Sequence, residues 1–252
     1  MNTITLFKSS HKIQDLDNIW MGRWSDPKIA ALFGTDTLPT PFPATTSADM
    51  VRDVIERPIV DEFDLNGWDL RKALGLLLKS NPPLLEWLQC PLIYNERGAL
   101  AGELRRRLPA YAAPKASFHH YLHMARGNFR EYLRGETVWR KKYFYVLRPT
   151  LAMRWIERGL GPVPIEFDRL VDATLDDPAV LASIASLLEE KRAGAELDRG
   201  PHDPVLGAFL DAELPRLEAV NLLRDDPAPD AAELDRLFRA TLREMWGREL
   251  PE

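Results

Sequence analysis

The sequence predicts an α+β protein that is mostly α, a small strand unit followed by an array of helices. Three observations predict it. Apolar–polar alternation is confined to residues 53–65, where Val54, Ile55, Ile59, Val60, Phe63 and Leu65 form one or two short strand-like runs. From residue 68 onward, apolar side chains recur at helical spacing in segment after segment. Loops rich in Pro, Asp and Gly separate the later segments, as at residues 224–229.

Taken in order, residues 1–50 show no regular pattern. Asp26 and Pro27 suit the N-cap and first position of a short helix over 26–33, and Pro39, Pro41 and Pro43 mark a linker. After the strands and an Asn66-Gly67 turn, residues 68–79 place Leu70, Leu74, Leu77 and Leu78 on one helical face. Asn81-Pro82 is an N-cap followed by proline, and it opens a helix running to Leu88. A further helix is expected over 97–108. Two long helices follow. Residues 114–133 align Phe118, Tyr121, Leu122, Ala125, Phe129 and Tyr132, and residues 138–158 align Phe144, Leu147, Leu151 and Trp155. Pro149 is expected to kink the second, because it lacks a backbone donor. Helices over 178–192, 204–217 and 230–246 complete the array.

Composition narrows the function classes. Cys90 is the only cysteine in 252 residues, which excludes an intrachain disulfide and a cysteine-rich zinc site and suits a reduced compartment. No apolar leader stands at the N-terminus, and no apolar run approaches the ~20 residues of a membrane span. A soluble, cytoplasmic protein with no membrane partner is expected. The net charge of −5 conceals an asymmetry: residues 101–160 carry 13 basic and 4 acidic side chains, whereas residues 161–252 carry 10 and 21. A basic segment in an acidic chain either concentrates a phosphate-bearing ligand or pairs with the acidic C-terminal third.

Candidate chemistry falls in two places. Strand alternation puts Glu62 and Asp64 on one side, and paired carboxylates supply the hard oxygens that magnesium prefers. The same acidic run before a turn also suits plain solvation. On the helix over 138–158, Lys141, Tyr145 and Arg148 share a face with Lys142 beside it. Arg forks and Lys point charges suit a triphosphate, and a tyrosine adds a stacking surface. A solvated basic face with a half-buried tyrosine is the plainer alternative. His119, His120 and His123 lack an HExxH arrangement and read as structural or exposed, and Cys90 reads as a small hydrophobe. Neither a GxxxxGK[ST] nor a GxGxxG loop occurs.

Several strings follow one another in a familiar order. They are Asp64-Leu65-Asn66-Gly67-Trp68-Asp69-Leu70-Arg71-Lys72, Lys79-Ser80-Asn81-Pro82, Leu85-Glu86-Trp87-Leu88 and Pro91-Leu92-Ile93-Tyr94. Then come His120-Tyr121, Met124-Ala125-Arg126-Gly127-Asn128, Lys141-Lys142-Tyr143-Phe144-Tyr145-Val146-Leu147-Arg148-Pro149, and Lys191-Arg192-Ala193-Gly194-Ala195-Glu196. Over roughly residues 51–217 the chain resembles the RNA-ligase-associated (RNA repair pathway) nucleotidyltransferases of the DNA polymerase beta superfamily.

The resemblance implies an incomplete or divergent minimal nucleotidyltransferase sheet followed by a helical domain. Residues 1–50 would be a divergent or truncated N-terminal segment, 51–95 a remnant of the catalytic core, and 96–252 the helical domain. It further implies transfer of a nucleoside monophosphate from a nucleoside triphosphate, with Mg2+ as cofactor and RNA as a possible acceptor. Asp64 would be the metal-binding and catalytic carboxylate, with Glu62 second, and Lys141, Lys142, Tyr145 and Arg148 would bind substrate. The chain departs from the family at one point: it has no Gly-Ser or Gly-Gly dipeptide, and its one early D-x-D is Asp15-Leu16-Asp17. Three readings therefore stand: an active transferase using Asp15, Asp17 and Asp64, a non-catalytic nucleotide- or RNA-binding relative, and a helical protein-interaction module.

Overall fold

A computed structural model of the chain describes residues 3–5, 54–56, 66–93, 96, 98–192, 198–222 and 226–246. These residues are mostly helical, with short antiparallel strands, as the α+β, mostly α reading expects. The chain divides into two units, Met1–Ala73 and Leu74–Glu252. The expected helix over 26–33 lies outside the described residues.

The first unit holds a three-stranded antiparallel sheet in the order β1-β3-β2, from β1 (Thr3–Thr5), β2 (Val54–Glu56) and β3 (Asn66–Asp69). Gly67 faces Thr5 on one side and Ile55 on the other. Two expectations are corrected here. Residues 3–5 form a strand inside a segment that reads as irregular, and Asn66-Gly67 belongs to the central strand instead of a turn. Asn-Gly-Trp-Asp has no alternation of its own, so its strand state comes from ladder bonds on both sides. Helix α1 therefore starts at Leu70 (Leu70–Leu78), two residues later than periodicity suggests. Asp69 fixes that start, because its carboxylate accepts the Lys72 N–H at 2.8 Å as an N-cap.

The second unit is built on helices. Helix α1 ends with Ser80 in a left-handed conformation (φ 51°), and Ser80 N donates to Leu77 O while Asn81 N donates to Leu76 O. Asn81 then caps α2 (Pro82–Leu88) by accepting from Leu84 N, as its sequence predicts. Next come α3 (Leu100–Tyr111) and α4 (Pro114–Tyr132). A two-stranded ribbon of β4 (Thr137–Trp139) and β5 (Arg199–Pro201) frames α5 (Lys142–Glu157), α6 (Phe167–Thr174) and α7 (Pro178–Arg192). Helices α8 (Pro204–Glu218) and α9 (Ala231–Trp246) complete it. The helix expected over 138–158 is thus corrected at its start, since Val138 is buried in a strand whose partner, Gly200, is far away in sequence. Helix α6 escaped the periodicity reading altogether.

Helix α5 is the axis of the core. Its residues Val146, Leu147, Leu151, Ala152 and Met153 are fully buried, so it is apolar on most sides and not on one stripe. Around it pack Phe118, Tyr121 and Phe129 of α4, Ile184 and Leu187 of α7, and Leu206, Leu210 and Leu214 of α8. Pro149 lies inside α5, followed by Thr150, whose buried hydroxyl donates to Val146 O at 2.7 Å. No helix among the described residues is long and apolar enough to cross a membrane.

Two contacts give sharp tests of this packing. A Cβ on Gly207 of α8 would lie 2.1 Å from the His202 ring, which rests beside Tyr143. Gly→Ala in a helix interior ordinarily stabilises by about 1 kcal/mol. Here Gly207→Ala is expected to destabilise by about 1–2 kcal/mol in urea unfolding, because the ring must leave its place. Adding His202→Ala should recover part of the loss. The second contact joins α5 to α8: Arg216 forks onto Glu157 with two bonds of 2.7 Å. The Arg216 hydrogen bond, followed by nearby positive charge, holds the Glu157 carboxyl below the usual 4.5. A depressed folded value means this stabilisation is complete above pH 4.5 and disappears as pH falls through the lowered value. For a half-exposed pair it is worth about 0.5–1 kcal/mol. Stability-versus-pH curves should show Glu157→Gln converging with the parent at low pH.

Candidate functional site

The basic segment is largely consumed by the fold. Of its arginines, Arg107 pairs with Glu233 at 2.8 Å, Arg134 with Asp211 at 3.4 Å and Arg154 with Glu213 at 3.1 Å. Arg126 pairs with Glu218, Arg158 with Asp176, and Arg140 with Glu190 through two bonds. All six carboxylates lie in the acidic C-terminal third, so much of the charge asymmetry is internal pairing. Three cations without such a partner stand together. Lys141 and Lys142 have no carboxylate in ion-pair contact among the described residues, and neither does Arg199 on the facing strand.

What these cations touch is aromatic. Arg199 and Trp139 are register partners across the β4–β5 ribbon, with the guanidinium carbon 5.7 Å from the indole centroid. Lys141 Nζ lies 5.3 Å from the same ring. Lys142 Nζ sits between two phenol rings, 4.1 Å from Tyr132 at the end of α4 and 4.5 Å from Tyr145 one turn along α5. Tyr145 is 55% exposed, the largest exposure among the exposed large hydrophobics of the described residues. The ribbon is held in place from behind. Arg140 crosses beneath Gly200 toward Glu190, where a Cβ would lie 2.5 Å from Arg140 Cδ. Such cation–ring contacts are worth about 0.5–1 kcal/mol each at exposed sites. They hold the lysine heads over a surface that also offers ring faces.

Arg148 behaves differently from its predicted companions. Its guanidinium donates to Glu86 Oε1 at 2.8 Å and to the carbonyls of Pro164 at 3.1 Å and Ile165 at 3.4 Å. The Tyr121 hydroxyl donates to the same Glu86 oxygen. Burial, then the neighbouring Glu86 charge, pushes the Tyr121 phenol well above its ordinary range. Three of the recurring strings, around Glu86, Tyr121 and Arg148, therefore meet in one network tying α2, α4 and α5 together. Of the predicted substrate-binding residues, Lys141, Lys142 and Tyr145 share a surface and Arg148 faces inward. Trp139, Tyr132 and Arg199 join that surface although helical spacing does not mark them. The run Trp139-Arg140-Lys141-Lys142-Tyr143, basic residues flanked by aromatics, was the available signal for Trp139; Arg199 joins only through the ribbon.

Glu62 and Asp64 lie outside the described residues, as do Asp15 and Asp17. As a donor set, two carboxylates two positions apart fit a hard divalent cation such as Mg2+. Among the described residues no group of three or more His, Cys, Asp and Glu side chains is placed to hold a metal ion, His119, His120 and His123 included.

Comparison with known proteins follows the same span. The model of the RNA repair pathway DNA polymerase beta family (RlaP) matches residues 41–240. The match extends beyond the 51–217 stretch of recurring strings at both ends. A similar relative is the uncharacterized protein YcgL of Bacillus subtilis (strain 168), 43% identical over 201 residues, covering 79% of this chain and 77% of the relative. No solved structure matches.

Proposed function

This chain belongs to the RNA repair pathway DNA polymerase beta family, and on that premise we propose a nucleotidyltransferase that moves a nucleoside monophosphate from a triphosphate to an acceptor, with RNA the acceptor that the family description favours. The observation that carries this reading is the extent of the match, which takes in both candidate carboxylates and the whole cationic–aromatic face. In the proposed reaction an acceptor hydroxyl oxygen forms a bond to the α-phosphorus. The bond from that phosphorus to the bridging oxygen breaks, pyrophosphate leaves with the electron pair, and the hydroxyl proton passes to solvent or a base.

Glu62 and Asp64 would hold Mg2+, which when bound neutralises charge on the phosphates and the departing pyrophosphate. Lys141 and Lys142 supply fixed positive charge for phosphate oxygens, and Tyr145 supplies a ring face for a base. Arg148 acts from behind by holding α5 to α2. A second reading, nucleotide or RNA binding without transfer, is favoured by one observation, the lack of any Gly-Ser dipeptide.

The test is calorimetry with each of the four ribonucleoside triphosphates, with and without magnesium, on the parent and on Asp64→Ala. Magnesium-dependent binding lost in Asp64→Ala is the expected result. No binding under either condition would overturn the transferase reading.

A further inference from the structure

We propose that the face formed by the β4–β5 ribbon, the start of α5 and the end of α4 carries a stretch of single-stranded RNA, with successive bases stacking on Trp139, Tyr145 and Tyr132. The RNA identity of the strand rests on the transferase reading; the single-strand preference rests on the geometry. The rings come from three different elements, which is more than one mononucleotide base can use. Cations alternate with them: Arg199 and Lys141 at Trp139, then Lys142 between Tyr132 and Tyr145. A polynucleotide has that same alternation of phosphate and base.

The charge is available as well. Nine of the ten arginines in residues 101–160 are bound to carboxylates, Arg130 being the tenth, whereas Lys141, Lys142 and Arg199 have none in contact among the described residues. Of the nearby acids, Glu190 is engaged by Arg140. Rings that stack on bases select unpaired strands, because a duplex keeps its bases stacked on one another. Stacking of this kind tolerates sequence, so little base preference is expected.

Fluorescence anisotropy with a 5′-labelled single-stranded RNA 12-mer, without nucleotide or magnesium, tests the inference. The single strand should bind at least tenfold tighter than the same sequence as duplex, and a DNA strand should bind no tighter. Tyr145→Ala should weaken binding about tenfold, with Tyr145→Phe retaining it, since ring stacking and not the hydroxyl is at work. The pair Lys141→Ala and Lys142→Ala should flatten the log–log salt slope by about 1.4, near 0.7 for each lost phosphate contact. All four side-chain changes are at the surface, and unchanged melting would confirm the fold. Equal duplex binding, tighter DNA binding, or unchanged affinity in both Tyr145→Ala and the lysine pair would overturn the inference. RNA binding absent beside magnesium-dependent nucleotide binding sinks this inference and leaves the transferase reading standing. RNA binding with these dependences but no nucleotide binding does the reverse.

Discussion

Asp64→Ala is expected to lower nucleotidyl transfer by at least about a thousandfold, some 4 kcal/mol of transition-state stabilisation. The size follows from the charge that must be managed. Triphosphate and pyrophosphate are polyanions, and a cation held by carboxylates offsets charge where it accumulates as the bond breaks. Removing one of two holding carboxylates loses both the cation and its placement. Asp64→Asn should be nearly as damaging, because it keeps the shape and removes the charge. Glu62→Ala should follow the same direction with a smaller loss. Asp15 and Asp17 lie before the matched span, which begins at residue 41, so Asp15→Ala and Asp17→Ala should leave transfer within a few-fold of the parent. A transferase that needs Asp15 or Asp17 as much as Asp64 would reveal a different metal set. The readout is labelled nucleotide appearing in acceptor RNA.

How far the sequence revealed this molecule depended on the range of each determinant. Helix starts were legible where proline fixes the first turn: helices begin at Pro82, Pro114, Pro178 and Pro204, as expected. Strands of three or four residues were not, because β3 and the β4–β5 ribbon exist through partners distant in sequence. The same division runs through the site. Lys142 and Tyr145 lie three apart on α5, and helical spacing alone brings them together. Arg148 obeys that spacing too, yet its fate is set by Glu86, 62 residues earlier, which no local pattern encodes. Arg199 reaches the surface only because Trp139 is its partner across the ribbon. Composition could not separate free from paired charge either, since the six C-terminal partners of the basic segment sit on α7 to α9 and in the loop after α6.

That difference in range makes Glu86 a polar position where a single change should cost much stability. Its carboxylate meets Arg148 and the Tyr121 hydroxyl, and the paired Arg and Glu side chains are only 23% and 16% exposed. Glu86→Ala leaves the guanidinium charge with two backbone carbonyls and the buried phenol with no acceptor there. Breaking a buried pair from one side typically costs 3–5 kcal/mol, and the residual solvent contact lowers the expectation to about 2–4 kcal/mol. Glu86→Gln keeps an acceptor and should cost about 1–2 kcal/mol. Replacing both partners, Glu86→Leu with Arg148→Met, should cost less than the two single changes added together, because no charge is left unpaired. Urea unfolding of the four proteins gives that coupling energy directly. The cycle also separates two roles for Arg148. If it only holds α5 to α2, the double variant should bind nucleotide as the parent does at temperatures where both are folded. Nucleotide affinity lost in the double variant with stability retained would place the guanidinium on a phosphate after all, and the inward network would be a resting arrangement that the ligand displaces.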